Sequence, residues 1–412
     1  MKISQPQILA PAGSFDCLSA AISAGADAVY FGCGKLNMRA RAGSFSLADM
    51  DYIVQTAHSA NVLAFLTLNT LLYDDDLVAA HAVCDAARES HIDAVICSDI
   101  AAIQIAKSYG LRVHISTQQN ISNIEAVKFF SSFADTLVLA RELTISQIKH
   151  ICEQIKEENI CGPSGELVQI EVFVHGALCV AISGKCGMSL AAYNKSANRG
   201  ECYQVCRRAY NVSDVETGNE LVIDGNYVMS PKDLCTLGMI DTLLDAGVSL
   251  LKIEGRARGP EYVSTVVRAY ADARDAFLAG SLTGEVKQTL IDKVSTVFNR
   301  GFWQNGYYMG ILVGEWCTVP GSVATTIKSL VGVVENYYQK AGVALIKLET
   351  QSLSQGCTIA FSGPTTGWLQ VEHAQLCVDE TTPSTILQGS IATLSVPAVV
   401  RKNDKVFVIS SR

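Results

Sequence analysis

Eight short apolar runs, each followed by a stretch of helical periodicity, recur along the first 280 residues. They read QILAP, AVYFG, AFLTLN, AVICSD, RVHIST, TLVLAR, IEVFVHG and SLLKIEG. Between them, segments such as FDCLSAAISAGA, LADMDYIVQTAHSA and SQIKHICEQI place apolar residues on one helical face. Several helix-to-strand passages look alike, and Gly25 and Gly247 suit the left-handed position just past a helix end. Eight strands alternating with eight helices predict a (β/α)8, TIM-like barrel. The competing open, doubly wound sheet would carry a glycine-rich phosphate turn after its first strand; here that turn is APAGSFD, without G-x-G-x-x-G.

Strand alternation then sorts the side chains. In IEVFVHG, Glu171, Phe173 and His175 share one face and Val172 and Val174 the other; in LLKIEGR, Lys252 and Glu254 fall together. The all-apolar faces are expected against the helices and the mixed faces toward the lumen. At the carboxyl ends of the strands, where barrel enzymes do their chemistry, that lining supplies Asn69, Gln118, Arg141, His175 and Glu254. Singly, Asn69 and Gln118 read as loop caps. Histidine, arginine, lysine and glutamate converging on one rim are harder to dismiss, because buried ions are costly unless they pair or perform a task.

The rhythm breaks after the seventh strand. Roughly fifty residues separate VFVHG from the next helical run, SPKDLCTLGMIDTLLDAG, where two to six are usual. The expected organisation is a barrel over 1–280 with an insertion over 177–230, and a helical, aromatic connector over 281–325. A small antiparallel β-barrel over 326–412 would follow, suggested by alternating segments and turns such as QKAG and GPTTG.

Composition matters for the cysteines. The chain has 14 of them and a net charge of −8. No apolar run approaches the roughly 20 residues of a membrane span. MKISQPQILAPAGS lacks signal-peptide features, so a cytosolic chain is expected. In a reducing compartment the cysteines are core thiols, metal ligands or redox groups. Cys84, Cys97, Cys152, Cys357 and Cys377 are isolated and read as core. Cys179, Cys186, Cys202 and Cys206 instead crowd the insertion, with six, fifteen and three residues between successive ones.

Four such thiols can hold zinc or an iron–sulfur cluster. There is no C-x2-C knuckle, and the wide loops fit a bulky cluster better than one tetrahedral ion. Gly184 and Gly187 bracket Cys186, and Lys185, Arg199, Arg207 and Arg208 add positive charge nearby. Cys33 and Cys235 are substitute ligands by position. The acidic balance argues against a broadly basic nucleic-acid binder, so RNA contact would need a local patch.

Residues 171–189 closely resemble the signature of the collagenase-like peptidase family U32. Glu171, Phe173, Gly176, Ala177, Leu178, Cys179, Gly184, Cys186, Met188 and Ser189 occupy its places. The likeness extends through LAPAGSFDCLSAAISAGADAVYFG, NRGECYQVCRRAY, MSPKDLC, LLKIEGRARGPEYV and VGVVENYYQKAGVA, covering essentially the whole chain. It implies either a collagen-directed protease or an oxygen-independent hydroxylation factor carrying a 4Fe–4S cluster. Members of the second kind act on the wobble uridine of tRNA, on a ribosomal RNA cytidine or on the ubiquinone ring, and the RNA-directed ones are associated with prephenate. The chain most resembles the branch that makes 5-hydroxyuridine in tRNA.

By that resemblance Cys179, Cys186, Cys202 and Cys206 would be the cluster ligands, and a paralogous partner subunit could share the work. Arg141, Lys252 and Arg256 would grip the anionic metabolite. Lys195, Arg199, Arg207 and Arg208 would meet RNA phosphates, and Tyr203 or Tyr210 would stack on a flipped base. Glu254 or His175 would act as acid or base, beside Arg141. A peptidase would need other machinery. H-E-x-x-H and G-x-S-x-G are absent, and a Cys179–His175 pair could not serve if Cys179 ligates iron.

Overall fold

The structure, a computed structural model, describes residues 5–42, 45–217, 227–303, 310 and 315–412. The first seven apolar runs form β1 (Gln7–Pro11), β2 (Ala28–Phe31), β3 (Leu63–Leu68), β4 (Ala94–Cys97), β5 (Val113–Ile115), β6 (Thr136–Val138) and β7 (Gln169–Gly176). After a short β8 (Asp233–Cys235), the last run forms β9 (Leu250–Ile253). From β1 to β7 each strand pairs in parallel with the next, and β9 pairs in parallel with both β7 and β1. The sheet is therefore a closed eight-stranded barrel, as expected.

Outside it run α1 (Phe15–Ser23), α2 (Met50–Ser59), α3 (Leu77–Glu89), α4 (Ile100–Ser108), α5 (Ile124–Ser131) and α6 (Ile145–Glu157). A short α7 (Met188–Tyr193) lies in the insertion, and α8 (Ile240–Asp245) and α9 (Pro260–Leu278) complete the ring. The sequence starts these helices by side-chain capping: Ser14, Asp99, Asn123 and Thr144 each accept a backbone N–H from the first turn.

Adjacent residues on a strand go to different cores. Ile8, Val29 and Val95 pack outward against the helices, whereas Leu9, Tyr30, Phe65, Ile96 and Leu250 form a separate cluster inside the lumen. In the barrel, alternation fails on β7, and the failure corrects the expectation for His175. Between β7 and β9 the register runs from Phe173↔Lys252 to His175↔Ile253, so β7 carries one extra residue. Beyond that bulge His175 lies among Tyr262 and Tyr270 of α9 and Phe302, with ring centroids at 5.9, 5.6 and 5.4 Å. It does not share the lumen with Glu171 and Phe173.

A second difference follows from the same place. The run read as one long helix from SPKDLC onward begins with β8, which pairs antiparallel to the end of β7 and parallel to β10 (Phe302–Trp303). That pairing joins residues far apart in sequence, which helical periodicity cannot reveal. Buried Asp233 is held by Arg300 at 3.1 Å.

α10 (Gly284–Ser295) packs on α9. Much of the expected aromatic connector, 304–309 and 311–314, and part of the insertion, 218–226, lie outside the described residues. The C-terminal strands are β11 (Thr326–Tyr338), β12 (Val343–Leu348), β13 (Leu353–Ser354), β14 (Thr358–Gly363), β15 (Gly367–Val371), β16 (Thr385–Ile386), β17 (Ile391–Ser395) and β18 (Lys405–Ser411). Six form an antiparallel sheet in the order β15-β14-β18-β11-β12-β17, and β13 pairs with β16. The C-terminal unit is thus built of antiparallel strands, as expected. The sheet docks on α1: Ser362 bonds Asp16 at 2.9 Å, and a Cβ on Gly367 would come within 2.6 Å of the Ala20 nitrogen. Among the described residues no helix is long and apolar enough to cross a membrane.

Candidate functional site

The carboxyl ends of the strands and the insertion line a cavity that opens to solvent, with about 1020 Å³ of empty space when its open mouth is included. Its floor comes from the barrel: Tyr30, Thr67, Asn69, Gln118, Arg141, Phe173, Lys252, Glu254 and Arg256. Its roof comes from the insertion, and Cys179, Cys186, Cys202 and Cys206 all line it. The seventh strand must end abruptly for this to happen. Gly176 has φ +108°, and a Cβ there would lie 2.3 Å from the Glu254 carbonyl oxygen, so only glycine fits where β7 turns off beside β9.

The insertion is clamped down by polar contacts with the barrel loops. Arg199 donates to both oxygens of Asp76, the closer at 2.7 Å, and lies over Tyr73. Arg207 donates to the Leu178 carbonyl at 2.6 Å and to Ser230 at 2.9 Å. Ser183 donates to Asn120 at 2.6 Å, and Leu71 N–H to the Asn198 carbonyl at 3.0 Å. Arg199 and Arg207 are thus staples between insertion and barrel, not free phosphate ligands, and Lys195 is paired with Glu201 at 3.3 Å. Tyr210 spends its hydroxyl on the Val205 carbonyl at 2.8 Å. Of that expected RNA-facing set, Arg208 is exposed and Tyr203 is half-buried.

The four thiols all line the roof of this one cavity. Burial, followed by the neighbouring Cys179, Cys202 and Cys186, outweighs the opposing Arg207 and pushes the Cys206 thiol up to about 11. The Met188 N–H points at the Cys186 sulfur at 3.4 Å. Gly184 lines the cavity with φ +73°, and a Cβ there would meet no protein atom within 4 Å.

Among the described residues no three histidine, cysteine or carboxylate side chains are grouped closely enough for a single metal ion. Four thiols match the donor number of a cluster with one thiolate per iron and equally that of a tetrahedral zinc. The alternative ligands do not come to the cavity. Cys33 is buried on the helix side of the barrel, with burial pushing it up to about 12, and Cys235 sits on β8 opposite His175.

The floor is a charge network. Glu254 accepts from Arg39 at 3.0 Å and from the Tyr30 hydroxyl at 3.3 Å. Burial raises its pKa, but Arg39 and Arg256 outweigh burial and hold it near 2. Below it Lys252 bonds Glu171 at 2.5 Å, and His114 approaches the other Glu171 oxygen at 3.5 Å. Lys252 is therefore spent on a buried partner. Arg256 donates to Thr67 at 2.8 Å and Asn37 at 3.3 Å, while its Nε and that of Arg141 are buried without a partner. Two unmet guanidinium donors at one floor suit an incoming carboxylate.

Arg39, Tyr30 and His114 were not singled out from sequence, and Glu171 was named there without its partners. The one available signal was the length of the β2–α2 connection, which carries NMRARAG. Asn69 and Gln118 line the floor but cap loops, accepting from Met38 N–H at 3.2 Å and Ser116 at 3.1 Å respectively.

These groups make the fold acid-labile with a defined onset. Burial holds His175 near 3 against an ordinary 6.5, so the unfolded chain takes up a proton first. Its stabilising contribution is complete above about pH 6.5 and declines as pH falls toward 3. Glu254, near 2 against 4.5, adds a decline below about pH 4.5. Urea midpoints measured from pH 7 to 4 should fall steadily from pH 6.5 in the parent and be nearly flat to pH 5 in His175→Phe.

The comparisons agree with this architecture. Along its full length the chain is 46% identical to a protein named collagenase from Porphyromonas gingivalis, the match covering 100% of both. It is 28% identical to the tRNA hydroxylation protein P1 of Bacillus subtilis, over 87% of this chain and 84% of the relative. It is 34% identical to a 23S rRNA 5-hydroxycytidine synthase of Escherichia coli, over 75% of this chain and 46% of the relative. The family model described as peptidase family U32 matches residues 13–316, from the first barrel loop past the cysteine insertion, and the chain belongs to that family.

Proposed function

We propose that this protein is an oxygen-independent RNA hydroxylation enzyme that forms 5-hydroxyuridine at the wobble position of tRNA. In this reading a 4Fe–4S cluster is held by Cys179, Cys186, Cys202 and Cys206. The observation that carries it is the placement of four thiols over a barrel mouth with two unmet guanidinium donors. Relatives named for tRNA and rRNA hydroxylation support the same direction.

When bound, the cluster would supply one-electron chemistry that side chains lack. Arg141 and Arg256 orient an anionic metabolite, with prephenate as the proposed co-substrate, by donating to its carboxylates. Glu254, ionised down to about pH 2, is a poor proton carrier at neutral pH; it positions Arg39 and Tyr30. The insertion covers the floor from above.

The peptidase reading has the 46% identical collagenase-named relative in its favour. The site argues against it: no histidine lines the cavity, and the bulge in β7 turns His175 away from Cys179. A thiol nucleophile there would have no base. Mass analysis of tRNA nucleosides after gene deletion should show 5-hydroxyuridine derivatives lost and restored by the parent gene. Unchanged tRNA with loss of ribosomal 5-hydroxycytidine or of quinone would move the substrate. Gelatin cleavage that survives rigorous repurification would replace the reading altogether.

A further inference from the structure

Beside the cavity the β2–α2 loop and the insertion build a ladder of side chains that the proposed chemistry does not use. The rings of Tyr193 and Tyr203 stack with centroids 4.8 Å apart and planes at 28°. The Arg41 guanidinium lies 3.6 Å from the Tyr203 centroid, and Arg208 lies 5.2 Å from that of Tyr193, donating to its hydroxyl. The order is Arg41–Tyr203–Tyr193–Arg208.

A second, open cleft lies at the Arg41–Tyr203 end of this ladder, and Arg41, Tyr203 and Gln204 line it. It shares Met38, Arg39, Cys202 and Gln204 with the main cavity, so the two adjoin at the thiol roof. Gln204 is held at φ +50°, a left-handed conformation uncommon for a glutamine, and its side chain is exposed between the two spaces. Among the described residues the exposed cations Arg41, Lys185 and Arg208 form no ion pair, unlike Lys195 and Arg199.

A flat guanidinium face backed by stacked aromatic rings, with unpaired positive charge on the same loops, matches a single-stranded polynucleotide. Bases stack on such faces, and the phosphates between them need cations. An apolar peptide would leave these cations unmet. We infer that the cleft is a neighbour-base subsite: the nucleotide adjoining the target stacks on Arg41 over Tyr203 while the target base enters the cavity. This rests on the RNA reading above. Arg41 and Tyr203 supply the stacking platform, Gln204 reads an edge of the stacked base, and Lys185 and Arg208 meet flanking phosphates. The substrate class follows as an unpaired loop, because a base in a duplex has no free face to offer.

The test uses the anaerobically purified full chain and a synthetic RNA hairpin whose unpaired loop carries a central uridine. Affinity is measured by fluorescence anisotropy, with either neighbour of the uridine replaced by an abasic site. The parent should lose about tenfold in affinity for one of the two abasic hairpins. Arg41→Ala should lose about as much on the intact hairpin and little more on the abasic one, while Tyr203→Phe should bind as the parent does. Independent, additive losses, or no loss with either abasic hairpin, would overturn the subsite and leave the RNA reading standing. A parent protein that binds no hairpin at all would overturn both. Unchanged thermal stability and iron content in Arg41→Ala would separate lost stacking from a disturbed fold.

Discussion

Replacing Cys202 by alanine is expected to strip the anaerobically prepared protein of its brown colour and of most of its iron. The parent should carry about four irons and four sulfides per chain. Cys202 stands at the junction of the cavity and the neighbouring cleft. A cluster deprived of this ligand would be open to the solvent that enters there. The same loss is expected for Cys179→Ala, Cys186→Ala and Cys206→Ala, because each of these thiols lines the one roof. Cys84→Ala is the matched control, since that thiol is buried on α3 in the barrel's outer core. Iron and sulfide analysis with visible spectroscopy reads the result. Colourless protein loaded with zinc, or full iron retention in Cys202→Ala, would dismiss the cluster and reopen the use of these thiols.

The second large effect concerns the lumen. Lys252→Met should destabilise the fold by about 3–5 kcal/mol, because it leaves Glu171 as an uncompensated charge in the barrel. Glu171 is fully buried, and its ammonium partner lies at 2.5 Å. Burial pushes its carboxyl up, and Lys252 with His114 more than offsets that, so it stays ionised. Removing both charges should be far milder: Glu171→Leu with Lys252→Met is expected to recover most of the loss. Urea unfolding of the two single variants and the double variant makes the comparison. A cost below about 1 kcal/mol for Lys252→Met would mean that water reaches the lumen and that the pair is not the buried unit described here.

Both effects come from residues that the sequence brought to attention, but for different reasons. The cysteines stood out because four thiols in one loop need a common purpose, and the structure places them around one space. Lys252 stood out through alternation on the last strand, which placed it correctly in the lumen. Its partner was invisible: Glu171 and Lys252 are 81 positions apart, and no local pattern pairs them. His175 was misplaced for a related reason. A one-residue bulge is set by how β7 pairs with β9, so alternation read along β7 alone could not register it. Arg199 and Arg207 looked like phosphate ligands because a sequence shows charge without partners; Asp76 and the backbone at Leu178 had already claimed them.

The sequence by itself determined the eight alternating strands and helices, the interruption after the seventh, the clustering of the thiols and the family. Each of these is written in periodicity or spacing along a single stretch of chain, where local sterics and burial decide the outcome. Only the tertiary structure decided which charges are spent on one another, which way His175 faces, and that two arginines and two tyrosines from separate loops form one ladder. Those outcomes depend on contacts between distant segments, and such contacts exist only once the barrel has closed.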